Sequence, residues 1–157
     1  MAVTATELLE QIRAEYEGEV TEAEPTSDAD AWVEVPAEDV RGMARFIMDT
    51  WAPVHLSTIT GVDTGRQIEV LYHFAIDGVG LNVRAVVDKG FDRIDSITPV
   101  VPAAVLYERE VAEMLGVEMV GHPDPRRLVL PEDWPEGDYP LRRDERPTER
   151  EDEEDNG

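Results

Sequence analysis

Cysteine is absent from all 157 residues. Its absence removes disulfides, thiolate metal sites, cysteine-ligated iron–sulfur clusters and a cysteine nucleophile, and it fits a reducing compartment. Lysine is nearly as scarce. Of 14 basic residues only Lys89 is lysine and the others are arginine, against 36 acidic residues. A formal charge of -22 repels phosphate backbones, so nucleic acid is not an expected partner. The acidity is not confined to the end. Residues 145–157 hold seven acidic side chains against Arg146 and Arg150, and the remaining body is still strongly negative. An acidic surface almost without lysine fits the salt-adapted cytoplasm of a halophile, where screening suppresses self-repulsion. It fits a GC-rich genome equally well. No apolar run approaches the ~20 residues that span a bilayer. Nor does a basic stretch followed by an apolar one open the chain, so neither a signal peptide nor a membrane span is expected.

What is present reads as one α+β domain, 1–144, followed by an acidic tail, 145–157, expected to be disordered. Thr4 or Thr6 caps a helix with Leu8, Leu9, Ile12 and Tyr16 at helical spacing, ending at Gly18. Residues 19–30 read as a weak strand running into a loop, and 31–35 as a short strand. Pro36 opens a second helix whose inward stripe is Val40, Met43, Ala44 and Ile47. Three strands follow. Val54, Leu56, Thr58, Thr60 and Val62 share one face. Ile68, Val70, Tyr72, Phe74 and Ile76 alternate more strongly, and past the turn at 77–80 so do Leu81, Val83, Ala85 and Val87. The expected architecture is an antiparallel sheet of about four to five strands with two helices on one face. Its other face is polar, with Glu69, His73, Asn82 and Arg84. After a connector, Pro102 starts a third helix that Gly116 stops. Prolines at 123, 125, 131, 135 and 140 then exclude long regular structure, leaving an extended C-terminal arm over about 117–144.

Candidate chemistry is thin. The only histidines are His55, His73 and His122; no pair has metal-ligand spacing, so no metal site is expected. The glycines at 78 and 80 precede a strand and make a turn, not a phosphate loop. His122, between Gly121 and Pro123, reads first as a turn histidine bonded to backbone. The run Glu108-Arg109-Glu110 with Glu113 is more informative. Arg109 and Glu113 stand four apart and can pair along a helix, with Glu108 and Glu110 projecting to either side. Arg126, Arg127, Arg142 and Arg143 supply forked donors. These charges can grip a partner or pin the arm to the acidic helix, and both uses remain open.

The order of these residues resembles the small peripheral subunit of respiratory NADH dehydrogenase, the 30 kDa subunit of complex I. The resemblance rests on Glu108, Arg109, Glu110, Glu113, Met114, Leu115, His122, Arg126, Leu128 and Val129, and on Pro140-Leu141-Arg142-Arg143-Asp144. Val62-Asp63, Glu69-Val70-Leu71-Tyr72-His73-Phe74 and Ser96-Ile97-Thr98 extend it to roughly residues 30–144. Leu106-Tyr107, Glu113 and Leu115 depart from the usual pattern. The wording from Gly121-His122-Pro123 onward looks most like the branch found in membrane-bound [NiFe]-hydrogenases and formate hydrogenlyases.

The resemblance implies a non-catalytic subunit without cofactor. Its partners would be a large subunit homologous to the [NiFe]-hydrogenase large subunit and other peripheral-arm subunits. It would sit on the cytoplasmic face of the membrane, reaching the bilayer only through the complex. Partner-binding or arm-pinning roles would fall on Glu108, Arg109, Glu110, Glu113, His122, Pro123, Arg126, Arg127, Leu141, Arg142, Arg143 and Asp144. Two rivals are a stand-alone acidic module for a basic peptide and a small enzyme using His122 with Glu113.

Overall fold

Helix α1, Ala5–Glu15, starts where Thr4 and Glu7 cap each other. The Glu7 N–H donates to Thr4 Oγ1 (3.3 Å) and the Thr4 N–H to Glu7 Oε2 (2.8 Å). The computed structural model describes residues 2–143, so Asp144 and the tail 145–157 lie outside the described residues. Ala5, Leu8, Leu9 and Ile12 form the buried face of α1. Strands β1 (Glu22–Ser27) and β2 (Asp30–Glu34) make a hairpin. A 3-10 turn, Ala37–Asp39, leads into α2 (Val40–Thr50), which buries Val40, Met43, Ala44 and Ile47 as its spacing predicts.

Strands β3 (Val54–Asp63), β4 (Gln67–Ile76) and β5 (Val79–Asp88) form an antiparallel meander. The turn between β4 and β5 is two residues long. Asp77 and Gly78 take φ of 47° and 82°, the left-handed pair that matches strand twist in a tight hairpin. The sheet order is β1-β2-β5-β4-β3. Its pairings are antiparallel except one. β2 lies parallel to β5, because the chain crosses through α2 to the far edge and returns by β3 and β4 before β5 closes against β2.

On β3 the expected alternation holds at Val54 and Leu56 only. The register slips between Leu56 and Thr58, and from there Ile59 and Asp63 are buried while Thr58, Thr60 and Val62 face out. One inserted residue flips every later side chain to the other face. The polar face is present as expected: His73 donates from Nδ1 to Asn82 Oδ1 (2.6 Å), and Arg84 pairs with Glu34 (2.6 Å).

The connector after β5 contains β6 (Arg93–Asp95), which pairs in parallel with β7 (Glu118–Val120) as a separate small sheet. Between them stand a 3-10 turn, Pro102–Ala104, and α3 (Val105–Leu115). Gly116 ends α3 in the left-handed conformation, φ 72°. α3 packs on β3 over Gly61, where a Cβ would strike the Leu115 side chain. The buried apolar residues of α1, α2, α3 and the strands make one cluster. Residues 121–143, the arm, contain turns but neither helix nor strand. Among the described residues no helix is long and apolar enough to cross a membrane.

Candidate functional site

The third helix divides its charged residues between two tasks. Glu108 points into the core and is fully buried. Its carboxylate accepts the Ser96 hydroxyl (2.5 Å), the Ile97 N–H (2.6 Å) and the Thr98 hydroxyl (2.8 Å). Three donors at that range replace the water that burial removes. Glu108 therefore does not project sideways from the helix as its place in a charge run suggests; of the two glutamates flanking Arg109 only Glu110 is exposed. The donors come from the chain just after β6, which is itself fixed from behind. Arg41 of α2 donates to Ser96 O (2.6 Å) and Val120 O (2.8 Å), tying β6 and β7 to the second helix.

His122 closes the same cluster. The Asp124 N–H donates to its Nδ1 (2.9 Å), and Nε2 lies 2.9 Å from Val105 O. A backbone N–H can only donate and a carbonyl only accept, so the ring carries its hydrogen on Nε2 and both nitrogens are engaged. Its side chain is 2% exposed, and Nε2 is 3.9 Å from Glu108, beyond hydrogen-bond range. Tyr72, opposite on β4, is also buried. Burial pushes its hydroxyl well up, with the charges of Glu108 and Asp95 adding to the effect.

The outer side of α3 holds the arm. Arg109 donates to Arg126 O (2.8 Å) and Arg127 O (2.8 Å) and stands 3.6 Å from Asp124. Glu113 accepts the next three backbone N–H groups, those of Leu128 (3.1 Å), Val129 (2.8 Å) and Leu130 (2.9 Å). Arg109 and Glu113 thus reach for consecutive stretches of arm backbone. A segment without ladder partners must satisfy its N–H and C=O groups otherwise, and these two side chains do it. Pro123, exposed, separates His122 from Asp124. Asp124 takes a two-pronged bond from Arg126 (2.7 Å each), which holds its carboxyl well below the usual range. Arg126 is nevertheless 80% exposed. Arg127 donates to Pro131 O (2.9 Å).

The far end of the arm returns to the sheet. Leu141 N–H donates to Met114 O (3.0 Å), its side chain remaining 58% exposed. Arg142 pairs with Asp92 (2.8 Å) and lies over the Tyr139 ring. The Arg143 N–H donates to Asp63 Oδ2 (2.7 Å). Burial would raise the Asp63 carboxyl, but the Lys89 ammonium at 2.7 Å and the Arg143 and Gly65 N–H groups outweigh it and lower the group to about 2. Asp63, Lys89, Asp92, Asp124, Arg41, Ser96 and Thr98 all take part, although charge pattern and spacing do not mark them as site residues. Val62-Asp63 and Ser96-Ile97-Thr98, two stretches that carry part of the resemblance, are the available signal.

A cavity of about 430 Å³ between α3 and the arm is lined by Arg109, Glu113 and Trp134, and His122 is not among its lining residues. Among the described residues no group of three His, Asp or Glu is placed to hold a metal ion.

Over 143 residues the chain is 34% identical to Hydrogenase-4 component G of Escherichia coli, covering 87% of this chain and 26% of that one. It is 33% identical over 120 residues to the membrane-bound hydrogenase subunit beta of Pyrococcus furiosus, covering 73% of this chain and 69% of the other. The share of the relative's length thus differs widely, and this chain spans about a quarter of the first. A chain in the structure of the membrane-bound sulfane sulfur reductase, an archaeal respiratory membrane complex, superposes with a TM-score of 0.76 at 25% identity, covering 87% of this chain and 82% of that one. The family model described as respiratory-chain NADH dehydrogenase, 30 Kd subunit, matches residues 33–151, spanning β2 to the end of the arm and beyond; the chain belongs to that family.

Proposed function

We propose that the chain is a non-catalytic peripheral-arm subunit of a complex I-like, membrane-associated oxidoreductase. That complex is either an NADH:quinone oxidoreductase or a group 4 membrane-bound [NiFe]-hydrogenase. Its task is to dock on the large hydrogenase-like subunit and stabilise it, on the cytoplasmic face of the membrane. The observation that carries this reading is the use of the signature charges. Glu108, Arg109, Glu113 and His122 are all engaged by the protein's own backbone and hydroxyl groups. What they produce is a fixed shape for residues 122–143, with Leu128, Val129 and Leu141 left outward. A shaped, apolar-bearing segment suits contact with another chain; a reaction centre needs free acids or bases. Hydrogenase-4 component G supports the same reading, since there the matching segment is 26% of a longer polypeptide.

The test is co-purification of the tagged full chain from native membranes. A large hydrogenase-like subunit should come with it. Arg109→Ala should cut the yield of complex severalfold by freeing the arm, while each assembled complex keeps near-normal turnover. Arg126→Ala should cut it less, because Arg109 binds the carbonyl of residue 126 and not its exposed side chain. A stable monomer that recovers no such partner would defeat the proposal, and full assembly with lost turnover would point to catalysis.

A further inference from the structure

The five-stranded sheet ends in two edges of different construction. β1 is six residues long, includes Pro25, which has no N–H, and carries Glu22 and Glu24. Edges of that kind discourage another strand. β3 is ten residues long, and from Val54 to Val62 it contains no proline and no Lys, Arg, Asp or Glu. Its one strand neighbour is β4, and no backbone hydrogen bond ties residues 55–62 to a described residue outside that ladder. Alternate residues therefore present N–H and C=O groups along a side that is unpaired among the described residues. A groove of about 250 Å³ runs between β3 and α3, floored by Gly61, Val111 and Leu115 and rimmed by Thr58, Glu110 and Leu141.

We propose that an extended segment of a partner chain adds to β3 as a sixth strand. Its alternate apolar side chains fill the groove and a basic side chain meets Glu110. The free backbone groups call for an extended strand, and the apolar floor calls for apolar side chains at every second position. A second copy is disfavoured because it would bring another charge of -22 to the same place. The Arg143 N–H meets Asp63 at the end of β3, but the sequence after Arg143 holds no Val, Leu, Ile, Met or aromatic residue to fill the groove. The proposal rests on the subunit reading only in requiring a partner.

Hydrogen–deuterium exchange on the full chain, free and within the complex purified from native membranes, tests it. Outward amides of residues 55–62 should exchange fast in the free chain and slow on the order of 100-fold in the complex, with β1 unchanged. Thr58→Lys with Val62→Lys, both at exposed positions, should leave the melting of the free chain unaltered and reduce recovered complex about tenfold. A complex whose β3 amides stay fast, or one that forms normally with both lysines, overturns the edge proposal and leaves the subunit reading standing. Failure to recover any complex removes both. Protection of β3 in the isolated chain, together with sedimentation as a dimer, assigns the edge to a second copy and overturns the partner strand.

Discussion

Glu108 and Glu113 stand little more than a turn apart on α3, and each accepts three hydrogen bonds. Those of Glu108 come from Ser96, Ile97 and Thr98 inside the protein; those of Glu113 come from the backbone of the arm at its surface. The bond counts match, but the surroundings differ. Removing the Glu108 carboxylate strands donors that water cannot reach, whereas the arm can turn its N–H groups to solvent. Equal bonding therefore has unequal consequences for stability.

Truncation of the two glutamates tests that directly. Glu108→Ala should lower unfolding free energy by about 3–5 kcal/mol. Glu113→Ala should lower it by about 1 kcal/mol, with the loss felt mainly in the arm. Urea unfolding gives the first number. Limited proteolysis across residues 126–131 should show the second variant cut fast while its core still melts near the wild-type temperature. Similar losses for both would mean that the arm is as much part of the cooperative unit as the core.

The next contrast lies at the far end of the arm, where Asp63 joins Lys89 and the Arg143 N–H. Its folded carboxyl sits at about 2, below the unfolded value of 3.8. A depressed folded value means that the stabilisation is fully present above the unfolded value and is lost as pH falls from 3.8 toward 2. Wild type should therefore lose stability across that window more steeply than Asp63→Asn, which has no such carboxyl. Near neutral pH, where the carboxylate keeps its full stabilisation, the variant is the weaker of the two, and the gap closes as pH falls. Parallel stability curves below about pH 4 for wild type and variant would show that the pair with Lys89 adds nothing.

These contrasts also explain what can be read from the chain. The stripe of α2 and the alternation of β4 and β5 depend on periods internal to each element, and the structure keeps them. The second half of β3 is inverted because one slipped residue after Leu56 resets the alternation, and nothing in Ser57 or its neighbours announces a slip. β6 and β7 are three residues each, too short to show a period. Glu108 looks like its exposed neighbour Glu110 because burial depends on donors supplied from residues 96–98, across the packed loop. Arg109 and Glu113 are legible as charges able to pin the arm, but the groups they hold, and that they reach for the arm and not for each other, are not. Their partners are carbonyls and amides, which every residue possesses and no sequence marks.

Tyr72 sharpens the contrast from its other side, with the smallest expected effect. Near it, Glu108 has every donor it needs, yet the Tyr72 hydroxyl is buried with no hydrogen-bond partner among the described residues. A hydroxyl stripped of water and given nothing in return opposes folding, so its removal should cost nothing. Tyr72→Phe keeps the ring that packs the core and deletes only the orphaned oxygen. Thermal melting should stay level or rise, by about 1 kcal/mol at most. A clear fall would mean that a buried water links the hydroxyl to the carboxylates of Glu108 or Asp95. The core-side cluster would then extend one residue further across the sheet than its direct bonds reach.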